Sequence, residues 1–300
     1  MHGPGERMRS PVGVTVTRAG TGSPAPGAPI LAVTDIVKRF GDGADALLAV
    51  DGVSLDVGEG EFVSVIGPSG CGKSTLFNII GGLVADYDGA IAVDGESVSG
   101  THAAFGMVFQ DESAFPWRSV IDNVAFPLEL AGVGKRERHE RARRFVSMVG
   151  LDGFERRYPA ELSGGMRQRV AIARTLASQP RILLMDEPFA ALDEQTRLLL
   201  GDKVLQIHQH LRQTTLLITH NITEAVQLSD RVIVMTYRPG RLKRTFDIDL
   251  PRPRTDDTRE TARYFELITA VRETLRGRAA GEAPGNVASA ERTLAEGAVG

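Results

Sequence analysis

Three hundred residues, 42% of them hydrophobic and 24% charged, suffice to bury a large core as one large domain or two unequal ones. The formal net charge of -3 excludes a global attraction to nucleic acid or anionic lipid, so a bound polyanion must be held by local structure. The single cysteine, Cys71, excludes an internal disulfide framework and points to a reducing cytosol.

Residues 1–28 are rich in Gly, Pro, Thr and Ala and poor in large apolar groups. They cannot bury enough surface to offset their ordering entropy and are expected to form a disordered leader. The opening MHGPGERMRS lacks a signal peptide's apolar centre, Met8 is an alternative start, and no stretch has the length and apolarity of a spanning helix. Short β-type runs follow at 31–37, 53–57 and 62–66, punctuated by Gly and Asp. The last of these stops at a glycine-rich loop, and residues 73–80 then read as a helix.

Further strands are predicted at 90–93 and 107–109, before a mainly helical stretch over 119–177. Within it Ala142, Phe145, Val146 and Val149 share helical spacing, while Arg136, Arg138, Arg141 and Arg144 point elsewhere. Glu137 and Glu140 interleave those arginines, so the pattern reads as a solvated amphipathic helix and not as a nucleic-acid surface. Strands return at 182–185, 215–219 and 232–235, with a helix over 194–211. Their apolar runs lack strict alternation, which fits a mostly parallel sheet covered on both faces. One closing helix is expected over 258–275, and the Ala/Gly/Glu-rich tail over 277–300 reads as loose.

Gly67-Pro68-Ser69-Gly70-Cys71-Gly72-Lys73-Ser74-Thr75 matches the phosphate-loop pattern G-x-x-x-x-G-K-[ST] in its required place between strand and helix. Its glycines let backbone N–H groups wrap around phosphates, the helix start supplies positive potential, and Lys73 adds a full charge near the β and γ phosphates of ATP. Ser74 is the expected Mg²⁺ ligand, and Cys71 is a small loop residue. A second apolar run, 182–185, ends in Asp186-Glu187, which puts two carboxylates at the C-terminal edge of a buried strand. Asp186 can reach Mg²⁺ and Glu187 can polarise the attacking water. His220 stands at another strand end, where an imidazole can contact the γ-phosphate.

Between these elements, Leu162-Ser163-Gly164-Gly165-Met166 resembles the ABC ATPase signature. Ser163 before a helical run is also an ordinary N-cap, and both readings agree on an anion-friendly helix start. The resemblance covers about residues 31–250. It implies an α/β P-loop NTPase fold with a mostly parallel sheet, an antiparallel β subdomain and an inserted α-helical subdomain. It also implies two chains sandwiching two ATP molecules, each signature facing the other chain's nucleotide. Asp193 matches the loop that communicates across that seam, although it also suits the N-cap of the helix that follows. Gln110 matches the glutamine that contacts Mg²⁺ or the attacking water. Phe40 occupies the place of the aromatic that stacks on adenine, with a core position as the alternative.

The implied organisation is a leader over 1–28, an ABC ATPase domain over 29–252 with its helical part at about 111–178, a helical extension over 253–276 and a tail over 277–300. The implied partners are a second copy, a separate membrane permease and an extracytoplasmic solute-binding protein, with no nucleic acid, at the cytoplasmic face of the membrane. Phe115-Pro116-Trp117 supplies large apolar groups either for the permease contact or for internal packing. Several stretches, among them Gly81-Gly82-Leu83, the run MDEPFAALDEQTR and Leu250-Pro251-Arg252-Pro253-Arg254, look like the nitrate, sulfonate and taurine importers. Export, or non-transport ATPase work on nucleic acid, stays as the alternative.

Overall fold

The computed structural model describes residues 28–41, 43, 46–110 and 114–277. Apart from Ala28 and Gly277, the expected leader and tail lie outside the described residues. β1 (Leu31–Phe40) and β2 (Leu47–Val57) pair antiparallel. Val53, Leu55 and Val57 turn inward while Ser54 and Asp56 turn outward, the alternation of a sheet with one wet face. β3 (Phe62–Ile66) is buried throughout, and α1 (Lys73–Ile80) follows the glycine-rich loop. β4 (Asp88–Val93) and β5 (Glu96–Ser97) complete an antiparallel sheet of order β2-β1-β4-β5. β1 runs past the expected end at Val37, and β2 starts at Leu47 instead of Val53. The β1 extension carries Lys38 and Arg39, which pair with Val50 and Leu48, and the β2 extension crosses Asp51 and Gly52, where the register shifts between Ile36 and Lys38; pairing with the neighbouring strand outweighs the weak local preference of these residues.

β6 (Phe105–Val108) ends one residue early, leaving Phe109 outside the strand. The helical stretch then divides into α2 (Val120–Val124), α3 (Phe126–Leu130), α4 (Lys135–Met148) and α5 (Gly164–Ala177). Ala142 and Val146 of α4 are buried with Phe145 partly so, whereas Arg141 is exposed and paired with Glu137. The amphipathic expectation therefore holds. Chain order continues with β7 (Ile182–Asp186), α6 (Glu194–Leu211), β8 (Thr214–Thr219), α7 (Ile222–Leu228), β9 (Arg231–Met235) and β10 (Leu242–Asp247).

The closing segment is two helices, not one: α8 (Asp256–Arg259) and α9 (Ala262–Arg276). Thr261 separates them because its hydroxyl accepts from Tyr264 N at 3.3 Å and donates to the Thr258 carbonyl at 2.8 Å, an N-cap that restarts the helix.

The second sheet has the order β10-β9-β3-β8-β7-β6, and every pair in it is parallel except β9 with β10. Ile66 pairs with Thr219 and Asp186 with Ile218, so β3, β7 and β8 end side by side. One face of this sheet packs on α2, α4, α5 and α6, and the other on α1 and the antiparallel sheet. A third cluster joins α7 and α9 to β9 and β10. Fully buried side chains such as Phe62, Phe77 and Leu176 each contribute about 1.5–3 kcal/mol relative to exposure. That packing keeps the strand ends in place.

Candidate active site

The loop from Gly67 to Gly72 leaves β3 and enters α1. Three of its glycines are required by sterics: a Cβ on Gly67 would lie 2.8 Å from Cys71 Sγ, one on Gly72 would lie 2.6 Å from the Ala49 carbonyl, and Gly70 has φ of +75°. Lys73 is buried, and its ammonium donates to the carbonyls of Gly67 at 2.9 Å and Pro68 at 3.1 Å. Burial pushes the Cys71 thiol up against the opposing pull of Lys73, so the thiol stays protonated and inert at neutral pH.

Asp186 ends β7 and is 8% exposed. Burial pushes its carboxyl up, opposed by the Ser74 hydroxyl, which donates to Asp186 Oδ1 at 3.3 Å. Glu187 comes next with φ of +43°, a left-handed conformation that side chains rarely take and that costs about 1–3 kcal/mol. Its N–H donates to the Ile218 carbonyl at 2.8 Å, so it is still tied to β8 as the chain turns out of the sheet. The Glu187 Oε2 accepts from His220 Nδ1 at 2.8 Å. A carboxylate can only accept there, which puts the proton on Nδ1 and leaves Nε2 for a second partner.

A cleft of about 410 Å³ is lined by Ser69, Gly70 and the run Gly72 to Thr75, by Gln110 and Glu187, and by Phe40, Leu47, Ala49 and Arg238. Its volume lies in the range of small-molecule and cofactor sites. Phe40 is 44% exposed, so the core alternative is set aside; the Lys38 ammonium sits 5.0 Å from its ring centroid. Leu47, Ala49 and Arg238 were not anticipated. Arg238 donates Nε to the Gly70 carbonyl at 2.9 Å from the loop after β9, and nothing in the local pattern of that loop marks it as lining the cleft.

Other expected residues stand apart from this cleft. Ser163 is exposed and caps α5, its hydroxyl accepting from Met166 N at 3.3 Å; Leu162 and Gly165 are buried and Gly164 and Met166 partly so. A Cβ on Gly165 would lie 2.4 Å from Thr196 Cγ2, so the α5 start abuts the α6 start within one chain. Asp193 is exposed and caps α6, accepting from Thr196 N at 3.0 Å, and that hydrogen bond holds its carboxyl below the usual range. Phe115 packs inward, 4.8 Å from Phe126 and 4.7 Å from Arg174 between ring centroid and partner. Trp117 stacks on Phe115 but is 72% exposed. Among the described residues no cluster of three or more His, Cys, Asp or Glu forms a self-contained metal site. Ser74 and Asp186 instead offer a hard oxygen pair that suits Mg²⁺ completed by phosphate oxygens and water.

The ABC transporter family model matches residues 50–190, which span the phosphate loop, the α5 start and the Asp186-Glu187 strand end. The chain is 52% identical over 238 residues to an uncharacterized ABC transporter ATP-binding protein of Methanocaldococcus jannaschii, covering 79% of this chain and 89% of that protein. The chain belongs to the ABC transporter ATP-binding family. This ABC ATPase is also 43% identical over 254 residues to a nitrate import ATP-binding protein of Synechocystis, covering 83% and 96%. A taurine import ATP-binding protein of Rhizobium johnstonii is 48% identical over 232 residues, covering 76% and 88%. Among solved structures, the dimeric post-hydrolysis state of an ATP-binding cassette bound to ADP and Pi superposes with a TM-score of 0.64 at 32% identity, covering 73% of this chain and 98% of that one. The ABC ATPase is an ATP hydrolase, and its mixed fold of one mostly parallel sheet, one antiparallel sheet and a helical group is that of the family's P-loop cassettes.

Proposed function

We propose that this chain is the ATP-hydrolysing subunit of an importer of the nitrate, sulfonate or taurine type, working as a homodimer beneath a separate permease at the cytoplasmic face of the membrane. An extracytoplasmic solute-binding protein supplies the solute. The observation that carries the hydrolytic part is the alignment of three parallel strand ends, which sets Lys73, the Ser74–Asp186 contact and the Glu187–His220 contact around one cleft. Among the described residues no helix is long and apolar enough to cross a membrane, which supports a separate permease.

Lys73 and the loop amides from Ser69 to Thr75 hold the phosphates, and Phe40 packs against the base. Glu187 orients the attacking water and takes its proton, while His220 fixes the carboxylate through Nδ1 and offers Nε2 toward the γ-phosphate. Ser74, Asp186 and Gln110 would hold Mg²⁺, which when bound neutralises charge on the phosphate oxygens. Leu162 to Met166 face the partner copy's nucleotide, and Asp193 lies at the same seam. Residues 29–252 form the working unit, the helical part at about 111–178 receives the permease with Trp117 at the contact, and 253–276 brace the sheet edge.

The test is ATP binding and phosphate release by the purified chain, then solute uptake after reconstitution with a permease and solute-binding protein in vesicles. Lys73→Ala should lose nucleotide affinity, and unchanged affinity would remove the phosphate-loop role. Hydrolysis without stimulated uptake would confine the function to the ATPase step.

A further inference from the structure

Behind the Glu187–His220 contact lies a part-buried ion-paired cluster that none of the nucleotide-site roles uses. Glu224 on α7 is 11% exposed at its side chain and is held from two sides. On one side Thr219 Oγ1 donates to Glu224 Oε2 at 2.7 Å and accepts from Asn221 N at 3.0 Å. These two bonds bracket His220, and the Asn221 side chain closes the turn by accepting from Glu224 N at 3.2 Å. On the other side Arg197 Nε lies 3.5 Å from Glu224 Oε1. The same guanidinium donates Nη2 to the Leu192 carbonyl at 2.9 Å and Nη1 to Glu194 Oε2 at 3.3 Å. Leu192 immediately precedes Asp193.

One carboxylate therefore joins the backbone turn that aims His220 to the turn that carries Asp193. Burial pushes the Glu224 carboxyl up, and Thr219 and then Arg197 pull it back. A desolvated charge held by two partners cannot follow one and abandon the other without a large penalty, so the two turns are expected to move as a unit.

We propose that Glu224 is a positioning residue that, through Thr219 on one side and Arg197 on the other, sets the His220 turn and the Asp193 turn relative to each other. This rests on the reading of Glu187 and His220 as the hydrolytic pair. Loss of the link costs turnover by letting His220 leave its place at Glu187, and it leaves the phosphate loop untouched because none of the three residues lines the cleft.

The experiment is steady-state ATP hydrolysis by the full chain carrying Thr219→Val, Thr219→Ser, Glu224→Gln or Arg197→Gln, with thermal melts alongside. Thr219→Val is nearly isosteric and keeps the test open if the charge variants fail to fold. Thr219→Val and Glu224→Gln are each expected to lower kcat roughly three- to thirtyfold, the range of coupling through such networks, with KM for ATP unchanged. Thr219→Ser restores the hydroxyl and the rate. The double variant Thr219→Val with Glu224→Gln should be no slower than the worse single, because both break one link. In the Glu187→Gln background, Arg197→Gln should weaken the ATP-dependent dimer. Wild-type kcat in Thr219→Val, a loss expressed in KM, multiplying losses in the double variant, or an unweakened dimer would each overturn the proposal. If Glu187→Gln itself keeps full turnover, the fault lies instead in the hydrolytic reading.

Discussion

Glu187 Oε2 and His220 Nδ1 lie 2.8 Å apart because β7 and β8 are parallel neighbours in which Asp186 pairs with Ile218. The bond joins two strand ends that are far apart in the chain. Glu187→Gln keeps the shape of the side chain but removes the proton acceptor. Turnover should fall by about 10² to 10⁴, with ATP binding intact and an ATP-bound dimer accumulating. Phosphate release and size-exclusion chromatography with ATP check both halves, and undiminished turnover would take Glu187 out of the mechanism.

Arg238 ties the loop after β9 to the phosphate loop through the Gly70 carbonyl. Because it lines the cleft, Arg238→Ala should raise the ATP concentration for half-maximal turnover roughly two- to tenfold, as expected for one exposed charge-assisted hydrogen bond. The maximal rate should hold. Titrating ATP against phosphate release distinguishes this from a change confined to kcat, which would contradict it.

Gly165 leaves no room for a side chain against Thr196. Gly165→Ala should shift the α5 start away from α6 and destabilise the fold by about 1–3 kcal/mol, as overpacking does. Its functional effect should be a weaker ATP-dependent dimer in the Glu187→Gln background, with unchanged ATP affinity of the single chain. Sedimentation and nucleotide titration read the two separately; a normal dimer would show that the packing is slack.

His208 is 5% exposed, donates Nδ1 to the Gln213 carbonyl at 2.8 Å and meets the Phe62 ring edge at 5.2 Å. Burial holds its pKa below the ordinary 6.5. The unfolded chain then binds a proton more readily than the folded one, so stability is complete above about pH 6.5 and falls as pH drops through the folded value. Urea midpoints at pH 7.5 and 5.5 should show this loss, and His208→Gln should flatten it. An equally steep loss in the variant would assign the acid sensitivity elsewhere.

Much of the fold was legible because its strands are short apolar runs ended by turn residues. The α1 and α6 bounds are legible in the sequence because α1 starts directly after Gly72, the last glycine of the phosphate loop, and α6 starts at the Asp193 cap, which accepts from Thr196 N. β10 and α7 were not anticipated. β10 is half exposed and charged, with Arg244 and Asp247 in a strand held by pairing with β9. α7 is short and depends on the Asn221 cap and on α9 for its stability. Thr261 broke the expected final helix because a cap depends on which way its hydroxyl turns.

The sequence by itself determined the chemistry available: a phosphate loop with Lys73 and Ser74, an acidic pair at a strand end, and a histidine at another, each recognisable because local backbone demands and spacing are written in consecutive residues. Tertiary structure alone decided what these groups meet. Sheet order put Glu187 beside His220, β1 and β2 brought Phe40 and Leu47 to the cleft, and the loop after β9 delivered Arg238 to Gly70. Glu224, with no motif of its own, became a junction of two functional turns only through the packing of α6 against α7. Contacts of that kind join residues far apart in the chain, so their energy depends on strand register and helix packing that no local pattern encodes.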